Sequence, residues 1–312
     1  MPTPCHERHE PRGMTQLLSL IFAVVTRGAA RQLRSQDLDI ASNSVPVEKH
    51  LSLVESSGFF RESDAHWKQR KALHAKQMKV ERIHHRDAAR AGGKDFWQVH
   101  YEPTFHCDFS ERLGAAGDGG KWVCNPSFVA EAVVAGKPCL VYSVGSRGDI
   151  SFERAVAHKI SKKCEVHVFD PFQGSTWSFL SYHPYALASS QGDVQKAIEG
   201  MPSKTMREIV EDLGHEGRDV DILKIDCEGC EWSTYKDWLT AGVNIRQILV
   251  ELHWQHLQKD KVRQVREFFK YLFSHGYVVM SKEPNTHGCR GECIEYGFLK
   301  LSPSFAGASV DE

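Results

Sequence analysis

From Leu140 to Leu301 the apolar positions switch repeatedly between short continuous runs and helical spacing. Leu140–Val144 and Glu165–Phe169 have the length and composition of strands, and the second ends in Asp170-Pro171. A third short strand is expected near residues 185–188, a fourth over 221–225 and a fifth over 247–252. Helical spacing fills the intervals. One helix is expected over 151–161. A second, "KTMREIVEDLG", puts Met206, Ile209, Val210 and Leu213 on one face, with Ser203 as its cap and Gly214 at its end. The longest, Lys261–Ser274, turns Val262, Val265, Phe268, Phe269 and Leu272 to its buried side. Two extended stretches close the pattern, 277–281 and 294–301, and the loop between them is too short for a crossover helix, so they read as an antiparallel pair. Strand alternating with helix predicts an α/β fold built on parallel strands and crossover helices.

Upstream the pattern thins. "DAHWKQRKALHAKQMKVERIHHRDAAR", residues 64–90, is rich in helix formers, but Trp67, Leu73, Met78 and Ile83 make only a narrow apolar stripe, so it reads as a solvated helix or stem. Its His84-His85 pair is not a metal site, because adjacent helical residues point apart and no further ligand has the right spacing. Residues 11–36 carry Arg12, Arg27, Arg31 and Arg34, no acid, and an apolar run from Leu17 to Val25. The run is shorter than the about 20 residues a membrane span needs. It fits a signal-peptide core with Gly28 and Ala30 before the cut, and a mitochondrial transit peptide is the alternative. The resulting division is a targeting segment at 1–36, a helical stem or linker at 37–104, a main domain at 105–301 entered through the Gly-rich turn "GAAGDGGKWVCNP", and a flexible tail at 302–312.

Composition narrows the partners. The 312 residues are 41% hydrophobic and 25% charged, the profile of a soluble globular protein. With a net charge of −1 there is no basic field to draw nucleic acid, and membrane contact is expected only through an uncleaved N-terminal segment. Small polar substrates fit better. Oligomeric state leaves no mark in the sequence. Of nine cysteines, Cys5 falls in the targeting segment, and Cys107, Cys124, Cys289 and Cys293 are placed to pair in an oxidising compartment, in a connectivity the sequence does not reveal. In a reducing compartment all would be free thiols.

Three stretches carry candidate chemistry. "CLVYSVGSRGDISFE" is a strand, a tight loop and a helix, and Gly145 and Gly148 suit a backbone that approaches a ligand closely. The loop lacks a full G-x-G-x-x-G, but Asp170 lies about 20 residues on, at the end of the second strand, where a carboxylate can accept both hydrogens of a ribose diol. "LKIDCEGCEW" sets Asp226, Glu228 and Glu231 after the fourth strand, three acids that need a cation, a substrate hydroxyl or a proton. Glu231 is also placed to serve the following helix N-terminus. The Cys227/Cys230 pair suggests thioredoxin-like chemistry, which the surrounding negative charge disfavours by raising the thiol pKa. "LVELHW" puts Glu251 and His253 on the same side of the fifth strand, where His253 can take a proton from a hydroxyl at neutral pH.

These stretches, with "CEVHVFDPF", "HPYALA", "ILVELHW" and "ECIEYGF", resemble in order the methyltransferase-like domain family of the methyltransferase-like protein 24 type, a relative of the FkbM-type methyltransferases. The resemblance implies a Rossmann-like class I fold with a mostly parallel seven-stranded sheet and a C-terminal antiparallel hairpin, and S-adenosylmethionine as cofactor. It implies that Gly145, Ser146 and Gly148 lie along the methionine part, that Asp170 holds the ribose and that Tyr185 and Ala186 approach the adenine. Asp226 and Glu228 fall on the family's D-x-E-G motif, beside the methyl group and the acceptor, a hydroxyl of a small molecule or glycan. Asp226 and His253 are the expected bases. Cys227 and Cys230 depart from the motif and read as small buried hydrophobes. A divalent metal at Asp226 and Glu228 stays an open alternative that is not predicted, because two acids fall short of an octahedral set without waters and substrate oxygens. The compartment implied is the secretory pathway, Golgi lumen or exterior, with mitochondrial and cytoplasmic alternatives. Two rival readings are a non-catalytic binding protein of this fold and an NAD(P)-dependent oxidoreductase, the latter weakened by the broken glycine fingerprint.

Overall fold

The computed structural model describes residues 50–84, 92–172, 176–192 and 200–306. The expected targeting segment at 1–36 lies outside the described residues, as do Cys5 and the tail beyond 306.

The periodic segments become the elements their spacing predicts. Strands β1 (Ser110–Leu113) and β2 (Lys121–Cys124) form an antiparallel hairpin, and helix α1 (Pro126–Val134) leads to β3 (Leu140–Val144). Helix α2 (Ser151–Lys159), β4 (Glu165–Phe169) and β5 (Ser181–His183) follow. Next come β6 (Ala186–Ala188), β7 (Ser203–Thr205), α3 (Met206–Leu213) and β8 (Asp219–Ile225). The chain continues through α4 (Glu231–Trp238), β9 (Asn244–His253), α5 (Lys261–Ser274), β10 (Tyr277–Asn285) and β11 (Cys293–Lys300). The main sheet has seven strands in the order β10-β11-β9-β8-β3-β4-β5. Strands β9, β8, β3, β4 and β5 run parallel, and the hairpin of β10 and β11 joins antiparallel through β9. This is the Rossmann-like architecture of the methyltransferase fold. Strand order reverses at β3, so the loops after β3, β4 and β8 meet at one edge, where such sheets bind ligands.

Two local readings change. The third strand of the sheet is β5 and not 185–188, since Pro184 has no N–H to continue a ladder and the Tyr185 N–H turns back to the His183 carbonyl at 2.9 Å. Ala186–Ala188 instead pairs with β7 in a separate two-stranded sheet. The cap of α3 is Thr205 and not Ser203, because only Thr205 has Glu208 three positions on. Its hydroxyl accepts the Glu208 N–H at 3.2 Å while the Glu208 carboxylate accepts the Thr205 N–H at 2.7 Å. Gly214 ends the helix at φ +66°.

One sheet face is buried by Ile209, Val210, Trp238, Phe268 and Phe269, the other by Val129, Phe152 and Val156. The helix at Asp64–His84, expected as a solvated stem, also contributes to this second core. Trp67 is fully buried, its ring 5.0 Å from Phe305 and 5.8 Å from Phe60, and its indole N–H donates to Glu55 at 2.6 Å. A thin stripe suffices here because the buried indole meets Phe60, Phe105 and Phe305, and His74, further along the helix, also packs on Phe305. Trp67→Ala is expected to cost about 3–5 kcal/mol in chemical denaturation. A loss below about 1 kcal/mol would show that this helix does not share the core.

Candidate active site

The loops after β3, β4 and β8 are interlocked by backbone contacts. The Gly145 N–H donates to the Phe169 carbonyl and the Asp226 N–H to the Val144 carbonyl, each at 2.9 Å. Gly145 has φ +75°, and a Cβ there would stand 1.8 Å from the Asp226 carbonyl oxygen, so only glycine lets the loops cross. The Lys224 ammonium donates to the Gly145 carbonyl at 3.0 Å. Beyond Gly145 the chain turns through Arg147 at φ +47° and Gly148 at φ +87°, with open space where a Gly148 side chain would stand. The Ser146 hydroxyl and carbonyl accept from Gly148 and Asp149 N–H groups within the turn.

Asp170 follows β4, as expected, but it is 2% exposed. Its carboxylate accepts the Arg147 N–H at 2.6 Å and the Phe172 N–H at 2.9 Å, tying the β3 loop to its own. Each oxygen retains a second acceptor site, so a ribose diol shares the carboxylate with these amides or displaces them. Tyr185 packs against Phe169 and His183, each ring 5.7 Å away, and Ala186 is buried with its N–H on the Pro202 carbonyl.

The acids after β8 do find a cation, and it is a residue that sequence reasoning missed. Lys121, on β2, is 2% exposed and reaches Asp226 at 3.0 Å and also Glu295 on β11. Gln247 places it there: its side-chain amide accepts the Cys124 N–H at 2.8 Å and donates to the Cys124 carbonyl at 3.0 Å, docking β2 on β9. The available signals were a lysine opening the apolar segment K-W-V-C and an acid inside the apolar run of β11. Burial opposes the charge of both partners, yet Lys121, then Lys224 and His253, hold Asp226 ionised well below the usual carboxylate range. For Glu251 the same cations, Lys121 and His253, are outweighed. Burial first, and then Asp226 and Glu295, push its carboxyl up to about 9.

His253 is 1% exposed and bounded by carboxylates. Glu231, fully buried, accepts the His253 N–H at 2.9 Å and lies 3.0 Å from its Nδ1, while Glu228 and Glu251 stand 3.5 and 4.0 Å from its Nε2. Burial would lower its pKa, but Glu231, then Glu251 and Asp226, outweigh burial and push it up to about 10. A pKa raised in this direction favours the protonated ring at neutral pH, which counts against the expected role of His253 as a neutral imidazole taking a substrate proton. Glu231 binds this ring and the Gly229 N–H, at 2.9 Å, and does not cap a helix. Glu228 sits at the rim with a 61% exposed side chain and φ +56°.

Cys227 and Cys230 are joined in a disulfide across the loop that carries Asp226 and Glu228, and are not separate buried thiols. The expected pairable cysteines join as Cys107–Cys124 and Cys289–Cys293, and a fourth bridge links Cys139 to Cys164. Among the described residues, Asp226 gathers with Asp118 and Glu251, oxygens within 4.8 Å of one another, rather than with Glu228. Asn285 donates to Asp118 at 3.1 Å and to Glu251 at 2.8 Å. The Lys121 ammonium already supplies the positive charge on Asp226.

Residues 50–300 match the profile of a family described as a methyltransferase domain. No curated protein matches the chain. Among solved structures, an O-methyltransferase from Bacillus cereus in complex with SAH aligns with TM-score 0.32 and 14% identity over 56% of this chain and 80% of its own. A protein assigned as an O-methyltransferase in Klebsiella pneumoniae gives 0.34 and 12% over 57% and 79%. One assigned as a ribosomal RNA methyltransferase in Plasmodium falciparum gives 0.36 and 10% over 56% and 96%.

Two measurements check this electrostatic arrangement. Lys121→Met strands Asp226 and Glu295 without their cation and is expected to cost about 3–5 kcal/mol in urea denaturation, part of it recovered by adding Glu295→Gln. Because the His253 pKa is raised on folding, its contribution is fully present below the ordinary value near 6.5 and is lost as pH rises through about 10. Glu251 also keeps its proton to higher pH when folded, so its slope has the same sign. Unfolding free energy is expected to fall between pH 7 and 10, by up to about 1.4 kcal/mol per pH unit for one proton, and less steeply in His253→Gln. A flat profile in the wild type would refute the imidazolium.

Proposed function

Because the chain belongs to a family of methyltransferase domains, we propose that it is an S-adenosylmethionine-dependent O-methyltransferase acting on a hydroxyl of a small molecule or glycan. The observation that carries this reading is the meeting of three loops where strand order reverses, bringing the Gly145–Gly148 turn and Asp170 to the same edge as Asp226 and Glu228. The motifs in this stretch support placement with the methyltransferase-like protein 24 and FkbM-type relatives.

When bound, S-adenosylmethionine supplies a methyl group already activated on a sulfonium, so the protein's task is mainly positioning. Ser146 and Gly148, in the turn that Gly145 opens, line the methionine part, Asp170 takes the ribose hydroxyls, and Tyr185 with Ala186 flanks the base. Asp226, fixed by Lys121, orients the acceptor hydroxyl. Glu228, the exposed acid beside the His253 ring, would accept the proton that the acceptor hydroxyl gives up. The bridge between Cys227 and Cys230 holds the backbone from which both acids project.

The compartment proposed is the lumen of the secretory pathway or beyond. All eight cysteines among the described residues are paired, a pattern that persists under oxidising conditions.

Calorimetric titration of the full chain tests the reading. S-adenosylmethionine and S-adenosylhomocysteine are expected to bind at micromolar concentration, at least about 10-fold more weakly to Asp170→Ala, a loss of about 1.4 kcal/mol or more. Binding of NAD in their place would make the protein an oxidoreductase, and binding of none would leave a non-catalytic fold. With an acceptor in hand, Glu228→Gln is expected to lower kcat about 100-fold or more.

A further inference from the structure

We propose that Glu165, His167 and His215 form a zinc-binding site at the amino-terminal edge of the sheet, apart from the methyl-transfer loops. Glu165 opens β4, and Asp170 follows its end, so the two edges are about 16 Å apart at strand rise. Glu165 and His167, two residues apart, point to the same sheet face. His215 arrives from the end of α3, where Gly214 reverses the chain and the His215 N–H returns to the Val210 carbonyl at 2.9 Å. The three side chains converge: Glu165 Oε1 lies 3.0 Å from His167 Nε2 and 3.0 Å from His215 Nε2. All three atoms lie within 4.8 Å of one another.

The spacing suits zinc. Bonds of about 2.0–2.1 Å in a tetrahedron put neighbouring ligand atoms about 3.3 Å apart, a few tenths of an ångström from the two Glu165–histidine distances, with the two imidazole nitrogens within 4.8 Å of each other. Two imidazoles and one carboxylate are also a donor set that zinc prefers over magnesium or calcium. Each ligand is held from behind, as metal ligands commonly are. His167 Nδ1 is 2.9 Å from His183 Nε2, His215 Nδ1 is 2.6 Å from the Tyr142 hydroxyl, and the Glu165 Oε2 carboxylate oxygen accepts Arg218 at 2.7 Å. With the metal bound, both Nε2 lone pairs face the ion, and the ring protons sit on Nδ1, donated to His183 and to the Tyr142 oxygen. The imidazoles are buried, while the Glu165 side chain is 42% exposed and leaves a route for the ion and a water as fourth ligand.

The surrounding covalent structure stiffens the site. The Cys139–Cys164 bridge immediately precedes β3 and β4, and the Glu165 N–H donates to the Cys139 carbonyl at 2.8 Å. His183 belongs to β5, whose carbonyl at the same residue accepts the Asp170 N–H at 3.1 Å. An ion held by His167 therefore also steadies the strand that positions Asp170.

The test is metal analysis of the full-length chain, stripped with chelator and reconstituted with zinc chloride, followed by calorimetric zinc titration. One zinc per chain with submicromolar affinity is expected. His167→Ala and His215→Ala should each weaken it at least about 100-fold, Tyr142→Phe by about 10-fold, and His106→Ala not at all. Should the histidine variants fail to fold, cobalt substitution of the wild type decides, since a four- or five-coordinate site gives strong visible absorption bands that excess zinc abolishes. No stoichiometric zinc, a cobalt spectrum of a six-coordinate ion, or zinc binding unchanged in folded His215→Ala would each overturn the proposal.

Discussion

The Lys121 ammonium, buried between Asp226 and Glu295, is the interaction on which the carboxyl edge of the sheet depends. Acids from β8, β9, β11 and α4 crowd a region with little water, and without a cation most would have to take up protons. Lys121 outweighs burial for Asp226 but not for Glu251, so the two neighbouring carboxyls are pushed in opposite directions. Gln247 helps set the lysine there by docking β2 on β9 through two hydrogen bonds. A hairpin outside the main sheet thus governs the charge of residues inside it.

The same crowding assigns roles. His253, which looks like a base by position, is committed as a cation to Glu231 and its neighbours. The proposed proton acceptor is therefore a carboxylate, Glu228, the acid of this loop with most access to solvent. The loop's left-handed Glu228 and the Cys227–Cys230 bridge hold it in a shape that neither helix nor strand would provide. At the opposite edge Glu165 is shared by two histidines and an arginine, and there too a single acid organises several donors.

Much of the fold was legible before any coordinates. The runs at Leu140–Val144, Glu165–Phe169 and the closing hairpin keep their places because their burial sets their period, and α5 matches its predicted span. Where reading failed, a local rule was outvoted by a neighbour. Pro184 moved the third strand upstream, and Glu208 selected Thr205 as the cap. Trp67 turned an apparently solvated helix into part of a core because Phe60, Phe105 and Phe305 come to meet it.

The candidate site divides the same way. Sequence alone determined which residues sit at strand ends, hence that Gly145, Asp170, Asp226 and His253 gather at one edge, because strand length and loop position follow from periodicity within a few residues. Protonation could not follow from it. The charge of Asp226, Glu251 and His253 is set by Lys121, Glu231 and Glu295, and the sequence separation from Lys121 to Glu295 is 174 residues. Nor could it pair Cys139 with Cys164, or bring Glu165 to His215, since both depend on parallel strands joined by long crossovers. Electrostatic energy depends on distance in space and on exclusion of water, and only the folded chain decides either.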